Sequence, residues 1–189
     1  MAIFFLGIPA VFAPIGAAAP PESGSLDALV TAIADRIDLA DTVAAAKWET
    51  AQRTHQDPVI DDPDREAVVY SGMAALGAKS GLSERWVDQV FAGQIDASKI
   101  VQRGLILRWN LDRASAPTAV VDLTTVRPEI DKTNVVIIDQ MADSRSALIG
   151  SGCGALVTRS VMAMLAARPM DPLHQAALLR ATVPLCSVG

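Results

Sequence analysis

The sequence predicts an all-α fold, a helical bundle of about six helices. Apolar residues recur at three- and four-residue steps over long stretches, and no segment sustains a two-residue alternation of β-branched residues. Glycine and proline fall mainly between the periodic segments, which leaves helices joined by short connections. Gly72, Gly93 and Gly104 are exceptions, sitting inside helical patterns. No internal repeat or low-complexity tract divides the chain.

In order along the chain, Met1 to Ala19 carry no charged side chain and hold an apolar run interrupted by Gly7 and two prolines. The run ends in Ala17-Ala18-Ala19, a small-x-small cleavage pattern, so residues 1–19 read as a secretory signal peptide, although a basic n-region is missing. A membrane anchor is the competing reading, but the run is short and proline-broken for a spanning helix. Residues 20–189 then form one domain, long enough for a real core.

The first helix spans about Ser25 to the low 50s, on the spacing of Leu26, Leu29, Val30, Ile33, Ile37, Ala40 and Ala44, and Asp57-Pro58 marks an end to it. Asp62 suits an N-cap and Pro63 a first helical position, which opens a second helix over 63–79, closed by Lys79-Ser80-Gly81. Ser83 opens a third, to about Arg113, followed by a loop around Pro117. A fourth runs from about Thr124 to Ile149, a fifth from about 154 to 167, and a short sixth from about Asp171 to Thr182. Gly150-Ser151-Gly152-Cys153-Gly154 lacks the Lys-Ser/Thr of a phosphate loop and reads as a break between helices.

Charge and cysteines narrow the class. The leader is uncharged, so the formal net charge of −5 belongs wholly to the mature part. An acidic chain without a basic run is a poor nucleic-acid binder, and any anion site must gather its cations locally. Cys153 and Cys186, in an exported chain, are expected to pair, which stabilises by roughly 3–4 kcal/mol in the chain-entropy account. With only His55 and His174 besides, they make no zinc cluster, so no metal ligands are assigned.

Polar residues in the wrong places carry the functional reading. At about 100° per residue, the step from Arg36 to Lys47 returns to within about 20° of one direction, with Ala40 and Val43 on that line. Both cations therefore ride an apolar stripe, while Asp35, Asp38 and Asp41 point to water. Two cations on a buried face are costly unless an anion meets them; the alternative is that both snorkel to solvent. On the third helix Val87, Phe91, Ser98, Gln102, Leu105 and Trp109 share one line, with Gln94 close by. Ser98 and Gln102 either satisfy each other within the core or line a pocket as neutral donors. In Asp62-Pro63-Asp64-Arg65-Glu66, Asp62 taken alone is a cap and Arg65 pairs with a nearby carboxylate such as Glu66 or Asp61.

Taken together, these pieces resemble the all-helical (AroQ-type) chorismate mutases. The resemblance lies in an Arg and a Lys eleven apart on one helix, Pro58-Val59, an Asp-Pro-x-Arg-Glu run, and a Ser-x-x-x-Gln pair 33 residues past that Arg. The leader, the two late cysteines and the extra C-terminal helices resemble the secreted subclass, as does Asp122-Leu123-Thr124-Thr125-Val126-Arg127, an Asp-Leu-x-x-x-Arg pattern opening a fourth helix. The resemblance covers roughly Leu26 to Cys186. Between Lys47 and Asp62 the chain is about six residues longer than the pattern, with Thr50 to Asp57 as the insert, either lengthening the first helix or bulging at the pocket's rim. Pro128 directly after Arg127 fits only if Arg127 lies in the first helical turn.

The resemblance implies conversion of chorismate to prephenate, a pericyclic rearrangement that breaks a C–O bond as a C–C bond forms within one molecule and needs no cofactor. Such an enzyme must hold two carboxylates, enforce a compact conformer and donate to the ether oxygen where charge builds. By resemblance Lys47 and Gln102 donate to that oxygen, Arg36 and Arg127 clamp carboxylates, Arg65 completes the positive wall, Asp62 accepts the substrate hydroxyl, and Ser98 hydrogen-bonds a carboxylate or the ring side. The implied partner is the small dianion chorismate, with no nucleic acid, no lasting membrane association after leader cleavage, and export to a periplasm or beyond. In smaller relatives one arginine comes from a partner subunit; Arg127 implies that each chain completes its own pocket, homodimer or not. An isochorismate-pyruvate lyase, a non-catalytic binder of such dianions and an exported interaction protein are the alternatives.

Overall fold

In the computed structural model, residues 25–119 and 121–186 are described; the leader, and with it the signal-peptide reading, lies outside them. The described residues form seven α-helices: α1 (Asp27–Thr54), α2 (Pro63–Lys79), α3 (Glu84–Leu111), α4 (Leu123–Asp143), α5 (Arg145–Ile149), α6 (Cys153–Ala167) and α7 (Pro172–Thr182), with 3-10 turns at Arg113–Ser115 and Val183–Leu185. There is no strand among the described residues, and no helix there is long and apolar enough to cross a membrane.

Local chemistry accounts for most of the boundaries. Asp62, Asp122 and Asp171 each accept a backbone N–H from the first turn of α2, α4 and α7, so three side-chain oxygens satisfy otherwise orphaned donors. Pro63 and Pro172 take first positions where no N–H is needed. Helix α1 ends on His55 in the left-handed region, φ 58°, with its N–H bonded back to the Ala51 carbonyl.

Two expectations need correction. The fourth helix is not continuous to Ile149: Ser144, at φ −95° and ψ 12°, breaks it into α4 and α5. No glycine or proline marks that point, so periodicity alone runs through it. Arg127 is also beyond the first turn, five residues into α4, and Pro128 lies inside the helix, unable to donate to the carbonyl of Thr124.

Helix α1 is the central element. It packs on α3 and α4 and touches α6 and α7, while α3 packs against α2 and α7. Leu29, Ile33 and Ile37 of α1, Phe91 of α3, Ile137, Ile138 and Met141 of α4, and Leu178 of α7 are fully buried in the shared core. The glycines inside α3 are explained by close approach: a Cβ at Gly93 would lie 2.5 Å from Pro184, and one at Gly104 would lie 2.6 Å from Leu173. Gly72 has nothing within 4 Å of such an atom.

The C-terminal stretch is fastened to α3 and α6. Trp86 Nε1 donates to the Leu185 carbonyl at 2.9 Å, and Gln94 Nε2 donates to the Ala181 carbonyl at 3.1 Å. Cys153, opening α6, is disulfide-bonded to Cys186, with Cα atoms 5.8 Å apart.

Candidate functional site

Helices α1, α2, α3 and α4 surround an open cavity of about 630 Å³, mouth included. Its lining contains Arg36, Lys47, Asp62, Arg65, Ser98, Gln102 and Arg127, so all seven side chains singled out from the sequence meet there. Val43, Val69, Ile95, Leu123 and Ile130 supply apolar wall between them.

Arg36 does not snorkel to solvent. It is 6% exposed, its Nε donates to Asn134 Oδ1 at 2.7 Å, and its Nη1 donates to the Gln94 carbonyl at 2.9 Å. No carboxylate among the described residues forms an ion pair with it. Burial pushes its guanidinium down to about 10; nearby Arg65 adds to the shift and Asp131 opposes it.

Lys47 is half-buried, and its Nζ donates to the Ile60 carbonyl at 3.0 Å. Burial lowers its pKa and Arg127 adds to that, while Asp62, Asp61 and Glu66 pull the other way. The insert resolves into both alternatives at once. Its first residues extend α1 to Thr54, and the chain returning through Gln56 to Val59 borders a second hollow that shares Lys47, Asp62 and Leu123 with the main cavity.

Ser98 and Gln102 are joined by one hydrogen bond and both line the cavity. Gln102 Nε2 donates to Ser98 Oγ at 3.0 Å, and Gln102 Oε1 is buried without a partner. Asp62 caps α2 through Oδ1, which accepts the Arg65 N–H at 3.1 Å, and its Oδ2 lies 3.8 Å from Arg127 Nη2.

Arg65 departs from its expected pairing. Its partner is Asp131 of α4 at 2.5 Å, because Glu66 and Asp61 are already held by Lys99, at 2.7 and 2.9 Å. Asp61 also accepts from Arg103.

Lys99, Glu66, Asp131 and Asn134 were not assigned to the site from sequence. Lys99 follows Ser98 and sits at the edge of its face, where a lysine reads as a surface residue. Helix α4 held a usable signal: at about 100° per residue Arg127, Asp131, Asn134, Ile138 and Met141 fall within about 40° of one line. That is again a polar intrusion into an apolar stripe, and Asn134, Ile138 and Met141 are all fully buried.

The cavity thus holds five cations (Arg36, Lys47, Arg65, Lys99, Arg127) against two carboxylates (Asp62, Glu66), in a chain of net charge −5. Asp131 and Asp61 also meet Arg65 and Lys99 from just outside that lining. Among the described residues Arg36 and Lys47 are therefore the cavity cations without a carboxylate in ion-pair contact, an arrangement that suits a small anion.

Comparison with known proteins agrees with this geometry. A family model described as chorismate mutase type II matches residues 27–103. A protein of Mycolicibacterium smegmatis named secreted chorismate mutase is 33% identical over 165 residues, 87% of this chain and 88% of its own. One of the same name from Mycobacterium tuberculosis is 31% identical over 178 residues, 93% of this chain and 86% of its own. Among solved structures, the chorismate mutase from Burkholderia phymatum superposes with a TM-score of 0.77 at 32% identity, covering 86% of this chain and 96% of that one. That from Burkholderia thailandensis gives 0.76 at 26% identity, covering 85% and 98%. The chain belongs to the type II chorismate mutase family.

Proposed function

We propose that this chain is an exported chorismate mutase, turning chorismate into prephenate by an intramolecular pericyclic rearrangement. Arg36 is the observation that carries the reading. A buried guanidinium with no carboxylate partner, in one cavity with Lys47 and Gln102, is an arrangement that an anionic ligand completes.

The count of donors supports the roles. A guanidinium has five N–H groups, an ammonium three and a carboxamide two. The protein uses two on Arg36, one on Lys47 and one on Gln102. What is left can clamp a carboxylate at Arg36 and reach the ether oxygen from Lys47 and Gln102. Arg127, only loosely engaged with Asp62, takes the second carboxylate. Asp62, with Oδ1 occupied by the helix cap, offers Oδ2 to the substrate hydroxyl. Arg65 contributes positive potential from behind its pair with Asp131, and Ser98 fixes Gln102 and the ring side.

Bringing the two carboxylates to opposite ends of this wall selects the compact conformer, and donors aimed at the ether oxygen stabilise the charge that develops there. A million-fold acceleration needs about 8 kcal/mol, which a few charge-assisted hydrogen bonds of roughly 1.5–3 kcal/mol each can supply together with conformer restriction. Arg127 comes from the same chain as the rest, so the pocket needs no second subunit. Export is supported by the relatives named secreted, and the uncharged stretch ending in Ala17-Ala18-Ala19 fits it.

The test is product identity. Purified protein incubated with chorismate should yield prephenate and, with isochorismate, no free pyruvate. Pyruvate release from isochorismate without prephenate formation from chorismate would make the lyase reading correct instead.

A further inference from the structure

Arg36 is the one charged side chain buried in the core among the described residues, and both its hydrogen bonds go to neutral oxygens. Arg65, Lys99 and Arg127 line the same cavity, but each is met by a carboxylate. The side chain that receives Arg36 is Asn134 of α4, itself fully buried.

Asn134 holds this place at a cost. Its Oδ1 accepts from Arg36 Nε, which fixes the amide orientation, since the reverse would set two donors against each other. Its Nδ2 is then left buried with no partner. An aspartate of the same size would remove that orphan donor and give the buried guanidinium a counter-charge. Asp131, the carboxylate whose charge acts on Arg36, is engaged by Arg65, and no carboxylate among the described residues forms an ion pair with Arg36. Fold stability alone therefore favours aspartate over asparagine here.

Binding favours the opposite choice. An arginine already paired inside the protein attracts an incoming carboxylate far less than one held by neutral groups. We propose that Asn134 is a positioning residue for the reaction: it fixes the Arg36 guanidinium through a neutral oxygen and so keeps that positive charge available to a substrate carboxylate. The proposal rests on the reading in which Arg36 clamps a carboxylate of chorismate.

The experiment compares wild type, Asn134→Asp and Arg36→Met by thermal melting and by steady-state kinetics on chorismate. Asn134→Asp should melt at or above the wild-type temperature while its KM rises by roughly 10- to 100-fold, the loss of one charge-assisted contact, with kcat much less affected. A merely structural role for Asn134 moves stability and KM together; this one moves them in opposite directions. An Asn134→Asp protein that melts lower or does not fold overturns the proposal, as does one with unchanged KM. Arg36→Met separates the two levels. If its KM rises while that of Asn134→Asp stays put, only the part assigned to Asn134 falls. If Arg36→Met also keeps wild-type KM, the carboxylate clamp itself is wrong and the proposal goes with it.

Discussion

Replacing Gln102 by glutamate exchanges a donor that works at any pH for one that donates only when protonated. Gln102 is 4% exposed and lines the cavity with Arg36, Lys47 and Arg127. Burial raises the pKa of a carboxyl group and neighbouring cations lower it, so the two effects oppose around an ordinary value of about 4.3. Above its pKa, the protonated fraction of a glutamate falls tenfold with each pH unit. If residue 102 faces the ether oxygen as proposed, the ionised form also places a negative charge where that oxygen gains one. Gln102→Glu should therefore be most active at acidic pH and lose up to about tenfold in kcat/KM per pH unit as pH rises toward and past neutrality, while the wild-type profile stays much flatter. Chorismate turnover between pH 5 and 8, with thermal melts at each pH to exclude unfolding, measures this. A variant profile parallel to the wild type would refute the assignment of Gln102 as a donor to the reacting oxygen.

Other expectations concern stability. Gly93→Ala sets a Cβ 2.5 Å from the rigid Pro184 ring and should cost about 1–3 kcal/mol, whereas Gly72→Ala meets nothing and should gain about 0.5–1 kcal/mol, both read from urea melts. His174 is lowered by burial but raised more by its bonds to Asp171 and Asp41, which leaves it above its ordinary 6.5. The stabilisation from its charged form is complete below about pH 6.5 and disappears as pH rises through the folded value. Melting temperature should show that pH-dependent component in wild type, and His174→Gln should lack it; identical pH profiles would contradict the pairing. Opening the Cys153–Cys186 bond, which closes a 33-residue separation, should cost roughly 3–4 kcal/mol by melting with and without reductant.

Most of the site was legible because its residues violate the period of the helix that carries them. Arg36 and Lys47 on the inward stripe of α1, and Ser98 and Gln102 on that of α3, are wrong for a core and right for a polar chamber. The periodicity fixes which face turns inward, and family resemblance supplied the register between helices. What stayed hidden depends on contacts between helices. Arg65 pairs with Asp131, 66 residues away, because Lys99 has already taken the nearer Glu66. No rule of spacing within α2 could decide that. Ser144 interrupts α4 at a point where neither glycine nor proline stands, so no breaker residue marks it in the sequence. Asn134 shows the same kind of intrusion as the polar residues of α1 and α3, but its role depends on Arg36, 98 positions away on another helix, which the spacing within α4 cannot reveal.

The most direct test of a chamber built to hold a dianion and stabilise charge on its ether oxygen is kcat/KM for chorismate measured on wild type and Lys47→Ala side by side, each checked for helical content. The structure predicts that wild type forms prephenate rapidly and that the variant, with its helices intact, loses roughly 100- to 1,000-fold or more. Equal rates for the two proteins would contradict it.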